Sequence, residues 1–159
     1  MRIPSWICAS ALLLVVQAAP LSAQPPTSVP DRVRGSQRVV VATVEDVKSA
    51  WKTNEHGDQL IVSTLRLRVE EALKGKQEPA VSMEMLGGTV DGITLEVSSL
   101  PKMTRGERAV FFLEADGQGA LVPHKRGQGI LKLDEGNRVR GTSLDLNQIR
   151  EMAAAAGGR

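Results

Sequence analysis

Thr64-Leu65-Arg66-Leu67-Arg68-Val69-Glu70 decides the fold class. Leu65, Leu67 and Val69 fall on one face of an extended chain, and Arg66, Arg68 and Glu70 on the other. Strict alternation with charge on the outer face is the pattern of a half-buried antiparallel strand. Upstream, Arg38 to Val47 is dense in β-branched residues (Val39, Val40, Val41, Thr43, Val44), and Trp51 closes that run. The polar stretch Thr53 to Asp58 between them reads as a turn.

Downstream, Ala72-Leu73-Lys74-Gly75 ends the strand, and Val81, Met83 and Met85 alternate with polar residues in the next one. Gly87-Gly88 breaks or bulges that strand. Asp91-Gly92 is a hairpin dipeptide, followed by the alternating Ile93, Leu95 and Val97. Pro101 and Arg105-Gly106-Glu107 lead into Ala109 to Leu113. Short runs at Ala120–Val122, Ile130–Leu133 and Arg138–Arg140 are separated by Asp/Gly/Asn turns. Only the tail reads as helix, with Thr142 or Ser143 as its cap and Leu144, Leu146, Ile149 and Met152 as its apolar stripe. About seven short strands with regular turn signals predict an all-β domain. The glycine breaks favour a small closed barrel over a flat sandwich, because bulges and glycines turn barrel corners.

The chain has 159 residues, which suits one domain with tails. Apolar residues make up 42%, enough for a core, and the formal net charge is only +2. That balance excludes a strongly basic nucleic-acid binder. Met1 to Ala23 has the build of a secretory signal. Arg2 is its positive start, Ile7 to Ala19 its apolar run, and Pro20 its end. The run is shorter than a membrane span, so no membrane span is expected once the signal is cut after Ala23. The sole cysteine, Cys8, would leave with it, and the domain would stand without disulfides. Gln24 to Pro30 holds Pro25, Pro26 and Pro30 and reads as an extended linker. The expected organisation is signal peptide 1–23, flexible proline-rich linker 24–36, β-barrel 37–141 and helix 142–156. The expected address is the periplasm or the outside of a bacterial cell.

Val39 to Val44, Thr64 to Gly75, Leu86-Gly87-Gly88, Leu100-Pro101 and Gly106 to Leu113 together resemble a group of uncharacterised secreted bacterial proteins. More distantly, they look like the netrin module and the tissue inhibitors of metalloproteinases. The likeness spans about Arg38 to Leu133. It implies a small OB-like antiparallel barrel with a helix packed nearby. Those inhibitors chelate a catalytic zinc through an N-terminal cysteine. Here the expected mature N-terminus is Gln24 and no cysteine remains, so the resemblance implies the scaffold and not the inhibition.

No catalytic constellation is legible. His56, Asp58 and His124 are the residues a metal site would have to use, with Glu55 beside them. Two histidines so far apart, without a cysteine, do not make a zinc motif. No nucleophile elbow is present. Glu70 and Glu71 are adjacent on a strand and point to opposite faces, so they cannot act as a glycosidase pair. Gly87 to Gly92 has no following helix to make a phosphate loop. Aromatics are 3% of the chain, too few for a platform that stacks bases. Phe111 and Phe112 are adjacent on a strand. One should face the interior, and the other should lie under the tail helix or be exposed.

The expectation is therefore a secreted, non-enzymatic binding module without a cofactor. Its partner would be a secreted or envelope protein, met through loops at one end of the barrel. The candidate surface is Gly87, Gly88, Asp91, Lys102, Arg105 and Phe112. Two other readings stay open: a small metal-dependent hydrolase using His56, Asp58 and His124, and a structural piece of an envelope assembly.

Overall fold

The computed structural model describes residues 27–157. The expected signal peptide and residues 24–26 of the expected linker lie outside that range. Eight strands and two helices follow in chain order: α1 (Val29–Gly35), β1 (Arg38–Thr53), β2 (Gln59–Lys74), β3 (Ala80–Leu86), β4 (Gly88–Val90), β5 (Ile93–Leu95), β6 (Arg108–Ala115), β7 (Leu121–Pro123), β8 (Ile130–Lys132) and α2 (Leu146–Gly157). The main sheet is antiparallel in the order β3-β2-β1-β6-β7, with β8 also paired to β6. β4 and β5 form a separate hairpin. β3 and β7, at the two ends of the order, approach one another. Among the described residues no hydrogen-bonded ladder joins them, so the sheet curls without closing.

The Val-rich start of β1 is buried on both faces, which is why it shows a continuous apolar run and not an alternation. Val40, Ala42 and Val44 face inward with Leu65, Leu67, Met83 and Phe111. Val39, Val41, Val110 and Phe112 face outward and are covered by Val33 of α1 and by Leu146, Ile149 and Ala153 of α2. Three register shifts along the β1–β2 ladder, the last between Val44 and Asp46, supply the bend.

Residues 29–35 correct the expectation of a linker that ran to residue 36. Ser28 caps a helix there, with its hydroxyl accepting from the Asp31 N–H at 3.3 Å. Pro30 lies in the first turn, where its missing N–H costs nothing. Val29 and Val33, four residues apart, enter the outer core. At the other end the Lys74 ammonium donates to the carbonyls of Val33 and Ser36, both at 2.7 Å, where a cation suits the helix dipole.

The tail helix begins later than expected. Thr142 and Leu144 make a turn, and Asp145 and Gln148 form a reciprocal capping pair at 2.9 and 3.0 Å. Arg150 then grips Glu71 of β2 through both carboxylate oxygens, fixing α2 to the sheet. The strand expected at Arg138–Arg140 is reduced to isolated bridges, Leu133 with Val139 and Arg138 with Asp145.

Candidate functional site

β6 pairs with β1 only from Arg38 to Thr43. Beyond that point β1 and β2 continue as an arm, flanked by β3 as far as Val62, whose inner face needs another cover. The cover is the segment between β3 and β6. Gly87 and Gly88, at φ 107° and 136°, let the chain leave β3 and cross the sheet in a conformation that other residues rarely adopt. The Gly87 N–H remains bonded to the Ile61 carbonyl at 2.8 Å.

Gly88 rests directly on two serines. Val47, Ser49 and Trp51 pair with Leu65, Ser63 and Ile61, so all six share the inner face. The Ser63 hydroxyl donates to the Gly87 carbonyl at 2.6 Å, and the Ser49 and Ser63 oxygens are 2.8 Å apart. The carbonyl can only accept. Ser63 therefore spends its proton there, and Ser49 is the donor between the two hydroxyls. With both protons committed, the pair acts as a clasp and not as a nucleophile. A Cβ on Gly88 would stand 2.3 Å from the Ser49 oxygen and 2.4 Å from that of Ser63.

The hairpin β4–β5 turns at Asp91-Gly92, both at positive φ, as a tight primed turn requires. Thr89 and Thr94 bond across it at 2.9 Å. The chain then turns at Val97–Leu100, buries Met103 in the inner core and returns through Gly106, whose N–H bonds the Val44 carbonyl at 2.8 Å. Gly127 braces this loop so closely that a Cβ would lie 1.9 Å from the Ser99 carbonyl oxygen. Between the loop, the hairpin and the sheet lies a cleft of about 570 Å³. Val47, Met85, Val97, Leu100 and Met103 make its apolar walls, and Lys102 and Arg105 stand on its border.

Four of the six residues expected at a loop surface meet here: Gly87, Gly88, Lys102 and Arg105. Asp91 is exposed in the hairpin turn and does not border the cleft. Phe112 is a correction. It is fully buried on the outer face, beneath the helices and under the Arg32 guanidinium, 5.9 Å from its ring centre. Phe111 takes the inner face, so the alternation assigns one ring to each core. Val47, Ser49 and Ser63 were missed. The signal for them was a pair of small polar residues at inward positions of strands that are otherwise apolar.

His56, Asp58 and His124 do not come together. His56 and Asp58 occupy the β1–β2 turn, where the Asn54 side chain accepts from both backbone N–H groups at 2.9 and 2.8 Å. His124 bonds through its N–H to the carbonyl of Phe112, which pairs with Val39 at the opposite end of β1. From Val39 to Thr53 the strand contour is about 45 Å at about 3.3 Å per residue. The His124 ring is buried, bonded to Glu114 at 2.6 Å and pressed against Gly35. Among the described residues no three His, Cys, Asp or Glu side chains gather as a metal site.

Behind the loop, Glu107 is tied to Lys132 at 2.7 Å and accepts from the Thr104 N–H at 2.7 Å. Burial alone would raise its pKa, but these partners outweigh it and hold the carboxyl below the ordinary value. On the sheet surface Glu70 is in the same position. Burial raises it, while the Thr43 hydroxyl and Arg108, both at 2.7 Å, bring it lower.

No known protein-family model matches the chain, and no curated protein matches it.

Proposed function

We propose that this domain is a secreted, non-enzymatic binding module, and that its site is the cleft roofed by residues 87–105. The observation that carries the reading is the cleft itself. It is mostly apolar, about 570 Å³ in volume, and bordered by four residues singled out from sequence alone. Clefts of roughly 300–1,000 Å³ with apolar walls and a few polar groups are the usual form of ligand sites. The hydroxyls beneath Gly88 are spent on the Gly87 carbonyl and on one another, and the histidines lie elsewhere, so the cleft supports holding a ligand more than transforming one. The finer reading of the curled sheet as an OB-like, netrin-like barrel belongs to the same proposal. Its support is the approach of β3 to β7 and the helix packed on the outer face.

The test uses the full chain expressed in its source cell. The purified protein is examined for bound species, proteins by cross-linking and small molecules by native mass spectrometry. A Val97→Trp variant, whose indole would fill the cleft, runs beside it. The expected result is a bound species in fixed ratio that the variant lacks. Nothing bound, or a species equally bound by the variant, would refute the reading.

A further inference from the structure

The cleft carries two exposed cations at its border. Most basic residues of the sheet are paired, among them Arg66 with Glu45, Lys52 with Glu84 and Arg108 with Glu70, and Arg150 of α2 is paired with Glu71. Lys102 and Arg105 are exposed and make no ion pair among the described residues. The acid closest to them in sequence, Glu107, is already held by Lys132 at 2.7 Å and Arg140 at 3.8 Å. Glu96 is the single carboxylate among the residues lining the cleft, against these two cations. An apolar pocket with unpaired positive charge at one border is complementary to a molecule with an apolar body and an anionic end. The volume is that of a small-molecule site, whereas a stable protein interface needs about 800 Å² of matching surface on each side.

We propose, resting on the binding-module reading above, that the cleft takes a free aliphatic carboxylate, with its chain against Val47, Leu100 and Met103 and its head at Lys102 and Arg105. Burial of the chain supplies most of the affinity. The exposed cations supply the choice of head group, an effect that salt weakens.

The probes are dodecanoate, dodecanol and dodecyltrimethylammonium, each below its micelle-forming concentration, titrated calorimetrically into the full chain. Dodecanoate should bind in a one-to-one ratio, and the cationic probe should bind least. Lys102→Ala with Arg105→Ala should weaken dodecanoate about tenfold, the scale of two exposed ion pairs, and leave dodecanol nearly unchanged. Added salt should act in the same direction, and Val97→Trp should abolish binding of every probe while the protein still unfolds cooperatively. Equal binding of acid and alcohol, indifferent to the double substitution, would overturn the inference and leave the cleft as a binding site. Failure of every probe, while a species bound in the source cell is lost in Val97→Trp, would overturn the inference alone. Failure of every probe with nothing bound in the source cell would overturn both readings.

Discussion

Gly88→Ala should be among the most damaging single-methyl additions in the molecule. At φ 136° an L-residue is strained, and residues forced into such regions cost about 1–3 kcal/mol. The new methyl would also meet the Ser49 and Ser63 oxygens at 2.3 and 2.4 Å, with the Ser49 Cβ at 2.9 Å. Nothing there is the far end of a long side chain, so relief requires moving the roof or breaking the hydroxyl clasp. Overpacking of this kind costs about 1–3 kcal/mol. Together the expected loss is about 2–6 kcal/mol, a large part of the stability of a small domain. The control is Gly92→Ala, which is at φ 79° in the hairpin turn with nothing within 4 Å of the added methyl. It should lose only about 1 kcal/mol, as a single left-handed residue does. Urea unfolding of both variants reads the difference directly. Ser49→Gly in the Gly88→Ala background should recover part of the loss, because it removes one of the two blocking oxygens. A Gly88→Ala loss no greater than that of Gly92→Ala, or no recovery with Ser49→Gly, would refute the seating of Gly88 on the serine pair.

Phe112→Ala should cost about 3–5 kcal/mol in urea unfolding, as much as Phe111→Ala, because each ring is fully buried in its own core; a loss below 1 kcal/mol would return Phe112 to the surface. Arg32 is buried with its Nη1 unpartnered, and burial lowers its pKa, so Arg32→Met should be neutral or stabilising in thermal unfolding, whereas Arg32→Ala, which also removes the stem from Phe112, should destabilise. Glu70 and Glu107 have folded pKa values below the ordinary 4.5, so their contribution is complete above about pH 4.5 and is lost as pH falls through the folded values. Acid titration of stability should therefore steepen below pH 4.5, and the double variant Glu70→Gln, Glu107→Gln should flatten that limb.

Alternation carried most of the strand content. Leu65, Leu67 and Val69 stand on the inner face as their spacing requires, and Asp91-Gly92 turns a hairpin. The first helix was not legible because three prolines dominated the reading of residues 24–30. The Ser28 cap and the Val29–Val33 spacing were present, but a helix of seven residues carries little periodicity. The bound on α2 moved because Thr142 and Ser143 are cap residues by type, while Asp145 has the glutamine three places on that completes the box. For the site, glycine and charge pointed to the roof, and nothing local pointed to its floor. Ser49 and Ser63 become part of a cleft only when the register of the β1–β2 hairpin puts them side by side.

The cleft follows from a mismatch of strand lengths. β1 runs to Thr53 and β2 starts at Gln59, yet β6 leaves β1 at Thr43 and β3 leaves β2 at Val62. The inner face of the arm therefore outlasts the strands that could curl over it. Trp51, on the same face, remains 41% exposed as a result. A short hairpin and a loop then serve as the cover. A cover of one hairpin and one loop is thin, and it does not fill the space to the density of a core. Filling the space with a larger wall residue should stabilise the domain whether or not the cleft has a use. The same residue should abolish ligand retention if it has one, the usual exchange between stability and function. Val97→Trp measures both quantities in one protein. A gain in stability together with loss of the bound species would mark the cleft as a site kept open for its ligand.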